Sequence, residues 1–134
     1  MAYTDIDNPE SYFVATLYTG NSTARTITTG MEADLIWIQQ RSTVRPNVLF
    51  DTLTTNHFAS NNSKYVKTDS TNALTSNDST QLTGVTSTGF TLGTDSSDQI
   101  NGNGDTAVAW TWNESATAGF DIVQYTGNGG TQNI

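Results

Sequence analysis

The residues that could do chemistry in this chain are concentrated in one acidic, amide-rich stretch. Calcium prefers carboxylate and amide oxygens, and these recur at Asp95, Asp98, Asn101, Asn103 and Asp105. An EF-hand register starting at Asn101 puts Thr106 where the motif needs glycine and Trp112 where it needs glutamate. The EF-hand motif therefore fails. A glycine- and asparagine-rich hairpin is favoured, with a calcium site of another kind as the alternative. We expect no bound metal and no cofactor.

Catalytic side chains are not marked anywhere in the sequence. His57 is the only histidine, and its Thr-Thr-Asn-His-Phe surroundings identify no nucleophile or carboxylate to work with it. Cysteine is absent, which removes thiolate nucleophiles and disulfides. The thirteen acidic residues supply many arbitrary pairs, but none that context marks as the two carboxylates of a glycosidase. We expect no catalytic residues and no enzyme activity, and the sequence identifies no ligand-binding residues.

Three tryptophans offer a different kind of site. Trp37, Trp110 and Trp112 could stack against sugar rings, because aromatic faces suit the apolar faces of pyranoses. Each of them lies in an alternating, strand-like segment, where burial in the core is the usual outcome. We therefore favour core packing over a sugar-binding platform.

Charge and hydropathy exclude two classes of partner. The formal net charge is −8 and only five residues are basic, whereas binding to nucleic acid relies on clustered Lys and Arg. No stretch approaches the ~18 consecutive apolar residues that predict a membrane-spanning helix. Residues 1–10 contain no apolar run of the kind found in a signal peptide. We expect no nucleic acid and no membrane insertion.

The sequence predicts that the secondary-structure elements carrying these residues are all β-strands. Apolar and β-branched runs separated by Gly, Asn and Pro turns predict strands at 12–18, 34–39, 48–51, 64–68, 89–92, 106–112 and 120–125. No long window shows a helical period. The pattern predicts an all-β fold, a two-layer antiparallel sandwich or jelly roll.

Side-chain alternation assigns faces to two of these strands. In residues 106–112 the large side chains Val108, Trp110 and Trp112 share one side, and we expect that side to enter the core. The small side, with Ala107, Ala109 and Thr111, could let a second layer or a subunit approach closely. Residues 35–38 are apolar on both sides, which predicts a central strand covered on both faces.

An internal repeat divides the chain. Residues 13–21 and 120–128 share a Phe and a Tyr-Thr-Gly-Asn block at one offset (120 − 13 = 107), and Ile27 matches Ile134 at the same offset. We predict a leader or attachment segment at 1–12, a β-sandwich repeat at 13–119 and the opening strand of a second repeat at 120–134. The second copy supplies the predicted assembly strand, with Phe120, Ile122, Val123 and Tyr125.

This predicted strand needs a partner, because ordering it alone costs about 1–2 kcal/mol of backbone entropy per residue. It could belong to further repeats, which is the favoured interpretation. It could also close the sheet of the first repeat or add to the sheet edge of a neighbouring chain. A disordered tail is the remaining alternative.

Seven blocks of sequence resemble one known family. These blocks are similar, in the same order, to repeat domains of tail-fibre-like virion proteins of marine bacteriophages. They are residues 1–9, the Leu-Tyr-Thr-Gly-Asn block at 17–21, and residues 34–41, 49–51, 89–93, 108–112 and 118–123. The resemblance covers nearly the whole chain. It implies a lectin-like jelly roll of the concanavalin or laminin-G kind.

The resemblance also implies a function. We expect a non-enzymatic phage virion structural protein, made in the host cytoplasm, that is the N-terminal module of a tail fibre or similar appendage and serves assembly or host attachment. Its expected partners are other virion proteins, further copies of itself in a homo-oligomer such as a trimer, and a host surface glycan. A carbohydrate-binding lectin-like module is the first alternative, and a capsid decoration or cement protein the second.

Overall fold

A computed structural model describes residues 6–53, 64–76 and 80–134. Within these ranges the chain forms one short 3₁₀ helix at Pro9–Ser11 and nine strands. The strands are β1 (Phe13–Thr19), β2 (Arg25–Thr28), β3 (Leu35–Gln40), β4 (Val48–Asp51), β5 (Lys64–Lys67), β6 (Thr75–Ser76), β7 (Leu82–Thr86), β8 (Gly89–Leu92) and β9 (Thr106–Trp112).

Two sheets make up the fold. One has six strands in the order β1-β9-β3-β4-β5-β6, and the other has three in the order β2-β8-β7. Every pairing between strands is antiparallel. The prediction of an all-β, two-sheet sandwich is therefore confirmed.

The core lies between the inner faces of the two sheets. Its largest fully buried apolar side chains are Phe50, Phe90, Ile36, Ile38, Leu82, Leu92, Ile100 and Val48. They form one continuous cluster with Tyr18, Ile27 and Tyr65. Burying a side chain of this size contributes about 1.5–3 kcal/mol, so this layer holds the two sheets together.

The predicted orientation of β9 is wrong. Ala107, Ala109 and Thr111 are completely buried on its inner face, whereas on the opposite face Val108 is 8% exposed and Trp110 and Trp112 are half-buried. The small side chains let the second sheet approach, and the space is filled by large residues from other strands such as Phe50 and Phe90. The predicted core position of the three tryptophans is wrong for the same reason, since Trp37 is also only half-buried on the outer side.

The predicted strand at 120–125 does not form in the isolated chain. After β9 the structure, which describes residues 113–134 in full, has only an isolated bridge between Ser115 and Phe120. Closure of the chain's own sheet by this segment is therefore wrong, because the segment pairs with no strand of that sheet. The assignment of 120–134 to a second repeat and of 1–12 to a leader both stay predictions.

Candidate functional site

The acidic loop, residues 95–105, is organised by the carboxylate of Asp95. This residue is 1% exposed and has a left-handed φ of 49°. Its Oδ2 accepts hydrogen bonds from the backbone N–H groups of Ile100 at 2.5 Å and Asn101 at 2.7 Å, and its Oδ1 accepts one from the Ser97 hydroxyl at 2.9 Å. A buried carboxylate needs such donors to offset its desolvation. Asp95 therefore shapes the loop.

Asn101 joins the acidic loop to two other parts of the fold. Its side chain is completely buried. The Nδ2 group donates to the carbonyl oxygens of Thr23 at 3.0 Å and Gly93 at 2.7 Å, while Oδ1 accepts from the N–H of Asn21 at 3.2 Å. One amide thus holds the segment after β1, the segment after β8 and the acidic loop together.

The Tyr-Thr-Gly-Asn block at 18–21 is the counterpart of that loop. The buried Tyr18 hydroxyl donates to the Ile100 carbonyl at 2.7 Å. Gly20 lies so close that an added Cβ would be 2.2 Å from the Gly102 carbonyl oxygen. Its N–H also donates to Asp105 O at 2.7 Å. The block therefore packs against the acidic loop and is hydrogen-bonded to it.

Burial also changes the chemistry of Tyr18. Desolvation raises the pKa of its phenol well above the usual range; the Arg25 guanidinium, 5.6 Å from the ring centroid, lowers the pKa, and Asp95 raises it. The phenol therefore stays protonated and continues to donate its hydrogen bond at any pH near neutrality.

The other residues predicted around a calcium site do not converge. Asp98 and Asn103 are exposed, and Asp105 Oδ1 accepts a hydrogen bond from the Ser42 hydroxyl at 3.4 Å. Across residues 6–53, 64–76 and 80–134, no group of three or more His, Cys, Asp or Glu side chains is placed to hold a metal ion. His57 lies outside the described residues. The geometry of the acidic loop is that of a structural junction.

The outer face of the six-stranded sheet carries the feature that sequence reasoning missed. The strand register aligns aromatic and aliphatic side chains in adjoining rows on this face. We define the outer face by Phe13, Ala15, Leu17, Leu35, Trp37, Gln39, Leu49, Val66, Val108, Trp110 and Trp112. Trp37 and Trp110 have ring centroids 5.2 Å apart, and Phe13 and Trp112 are 5.0 Å apart. No charged residue belongs to this set; Asp51, which is buried opposite Leu35, and Lys64 lie on the same face at the ends of β4 and β5.

Strand β1 is both part of the outer face and an unprotected edge. Natural sheets blunt their edges with short strands, charges or bulges. The described part of the chain shows these devices at the other three edges: β6 has two residues, β2 carries Arg25, and β7 is irregular between Leu82 and Gly84. In contrast, β1 is seven uncharged residues long, and Leu17 is 66% exposed. The uncharged alternation of β1 was visible in sequence, but its edge position was not.

The predicted assembly strand leaves the sandwich beside the outer face. Phe120 stacks on Trp112 with ring centroids 6.2 Å apart, and the N–H of Ile122 donates to Glu114 Oε1 at 2.9 Å. Beyond this point Val123 is 58% and Tyr125 62% exposed. Phe120 and Ile122 are therefore held at one end of the outer face, Val123 and Tyr125 are exposed, and the four residues form no strand.

Comparison with known proteins identifies a family without a described activity. The model of the family described as Domain of unknown function (DUF7483) matches residues 8–134. No curated protein and no solved structure matches the chain. In the described part of the chain, no helix has the length and hydropathy needed to span a bilayer.

Proposed function

The chain belongs to the family described as Domain of unknown function (DUF7483), and we propose that it is a non-enzymatic structural module of a phage virion, in a tail fibre or similar appendage. The observation that carries this proposal is the uncharged outer face that runs into an unprotected edge strand. The ordered resemblance of seven sequence blocks to virion repeat domains supplies the biological setting.

The outer face supports an assembly role on physical grounds. Contiguous exposed apolar patches on soluble proteins mark interaction surfaces, and an unpaired edge strand offers backbone donors and acceptors to another strand. Copies of a chain with a net charge of −8 repel each other. An uncharged face is where such copies can approach with the least electrostatic cost, which favours a homo-oligomer.

The finer fold and location are parts of the same proposal. We assign the sandwich to the jelly rolls of the concanavalin kind, with residues 1–12 attaching the module to other virion proteins. The virion is its location, and host attachment is the role of the assembled appendage.

Mass spectrometry of purified particles of the encoding phage tests the virion assignment. We expect the protein in the particles at the copy number of a tail appendage. A copy number equal to that of the capsid lattice would instead identify a decoration protein. Absence from the particles would refute the virion proposal.

A charge placed on the outer face tests the assembly role. Light scattering should show that Leu17→Lys dissociates the oligomer, because burying an unpaired charge costs several kcal/mol. Leu17 is exposed in the isolated chain, so the fold should tolerate the change. Val44→Lys, at a fully exposed position away from the sheet, is the matched control. A monomeric starting protein, or equal oligomers in both variants, would contradict this role.

A carbohydrate-binding function is the second candidate, favoured by one observation. Trp37 and Trp110 are half-buried neighbours on the outer face, so parts of their rings face solvent. Binding to a glycan array that is lost in Trp110→Ala and kept in Val44→Lys would support it. A silent array would leave the assembly role as the sole candidate.

A further inference from the structure

The tyrosines of the two copies of the Phe-x4-Tyr-Thr-Gly-Asn pattern lie in opposite surroundings. In the first copy every element of the pattern is held by β9 or the acidic loop, whereas Tyr125 of the second copy is 62% exposed. We infer that residues 120–128 are a docking segment that takes the β1 position in a second sandwich of this same fold. This inference goes beyond the proposed virion function and does not depend on it.

The contacts of the first copy define what the second copy would bind. Phe13 pairs with Trp112 on the outer face, and Phe120 takes its place at the shared offset. Tyr125 takes the place of Tyr18, whose hydroxyl reaches the Ile100 carbonyl. The receiving surface is therefore a β9 edge together with an acidic loop, both of which only a sandwich of this fold supplies.

Glycine at position 127 is the most specific part of the match. At the corresponding position, Gly20, a Cβ would lie 2.2 Å from the Gly102 carbonyl oxygen, so the receiving loop admits no side chain there. Around Gly127 no atom of the described chain lies within 4 Å of an added Cβ. The isolated chain therefore gives no steric reason for a glycine that the β1 position requires.

The inward-facing positions are also compatible with docking. On β1 these are Val14, Thr16 and Tyr18, which become Asp121, Val123 and Tyr125 in the second copy. The deeply buried position keeps its tyrosine, and the middle position becomes more apolar. The aspartate falls at the end of the strand, where Val14 is only half-buried.

The segment cannot occupy the β1 position of its own sandwich. That position is filled by Phe13–Thr19 along the whole length of β9, and the other side of β9 is filled by β3. The contacts of Ile100, Asn101 and Gly102 are likewise taken by residues 18–21. The partner is a second sandwich whose β1 position is vacant.

An extended chain supplies that partner directly. Because Ile134 corresponds to Ile27, appending a copy of residues 28–119 after Ile134 gives the docking segment a sandwich that lacks its own β1. We expect amide hydrogen exchange in 120–128 to slow by about 100-fold or more relative to the unextended chain, as for strands of a stable domain. Unchanged exchange in this segment would overturn the inference.

Two controls make the result specific. Appending residues 13–119 instead provides a copy with its own β1; this copy should fold while exchange in 120–128 stays fast. If only this complete copy folds, the docking segment does not replace β1 and the inference fails. Gly127→Ala should speed exchange in 120–128 of the first extended chain by about 5-fold or more and change nothing in the unextended one. Exchange in 120–128 that is as slow in Gly127→Ala as without the substitution would equally refute the match to Gly20.

Discussion

Residues 13–21 and 120–128 share one sequence pattern, yet the first copy is a paired edge strand with a buried tyrosine, and the second forms no strand and leaves its tyrosine exposed. Tyr18 is enclosed and hydrogen-bonded, while Tyr125 is 62% exposed. The pattern itself does not decide between these states. What differs is the contact with β9 and the acidic loop, which the first copy has. We therefore expect the second copy to form a strand only on a second such surface that is vacant.

The largest contrast is expected between the two tyrosines. Tyr18→Ala should reduce the free energy of unfolding by about 3–5 kcal/mol, because it empties a core site and leaves the Ile100 carbonyl without its donor. Tyr125→Ala should change it by no more than about 0.5 kcal/mol. Urea titrations of both variants provide the measurement. Equal losses would mean that the second copy is also packed.

Removing the Asn101 side chain from the acidic loop should destabilise the packing of residues 13–21 and leave residues 120–128 unaffected. Asn101→Ala should cost about 2–4 kcal/mol, since the buried Gly93 carbonyl and the partly buried backbone groups of Thr23 and Asn21 all lose their partner. Asn103→Ala, in the same loop but exposed, is the matched control and should be nearly neutral. Thermal unfolding followed by circular dichroism distinguishes the two. A neutral Asn101→Ala would show that the loop does not hold β1.

The paired glycines sharpen the comparison sterically. Gly20→Ala should destabilise the chain by about 1–3 kcal/mol, because the added methyl forces the backbone away from Gly102. Gly127→Ala in the unextended chain has open space and should leave stability within about 0.5 kcal/mol. Calorimetry of the two variants measures the difference. A tolerated Gly20→Ala would remove the steric part of the match.

The smallest effect concerns pH. The pKa of Tyr18 is raised in the folded chain, so its contribution to stability is complete below the unfolded value of about 10 and is lost as pH rises above it. This one group should add up to about 1.4 kcal/mol of lost stability per pH unit. Tyr18→Phe should remove that slope while the slopes of other groups persist. Identical alkaline profiles would contradict the burial of this phenol.

Much of the strand pattern could be predicted from sequence because apolar periodicity is local. Six of the seven predicted strands form, with ends within one residue of prediction. The three strands that were not predicted, β2, β6 and β7, lie in threonine- and serine-rich sequence where polar residues hide the alternation. Their pairing partners, rather than their own composition, make them strands.

The faces and the candidate site could not be predicted in the same way. Both sides of β9 are apolar, so alternation separates them but does not say which one meets the second sheet. The position of β1 at an edge follows from strand order, which joins residues far apart in sequence. The role of Asn101 likewise depends on three distant backbone groups. The repeated Tyr-Thr-Gly-Asn block could be recognised from sequence, and its first copy contacts the acidic loop.

Amide hydrogen exchange on the unextended chain tests the central claim most directly, because one experiment follows both copies. The hydrogen-bonded amides of Phe13–Thr19 should exchange at rates set by unfolding of the sandwich, and those of residues 123–128 at nearly the rates of free peptide. Comparable protection of the two segments would contradict the claim that the shared pattern forms a strand only when it pairs with a β9 edge that has no other β1.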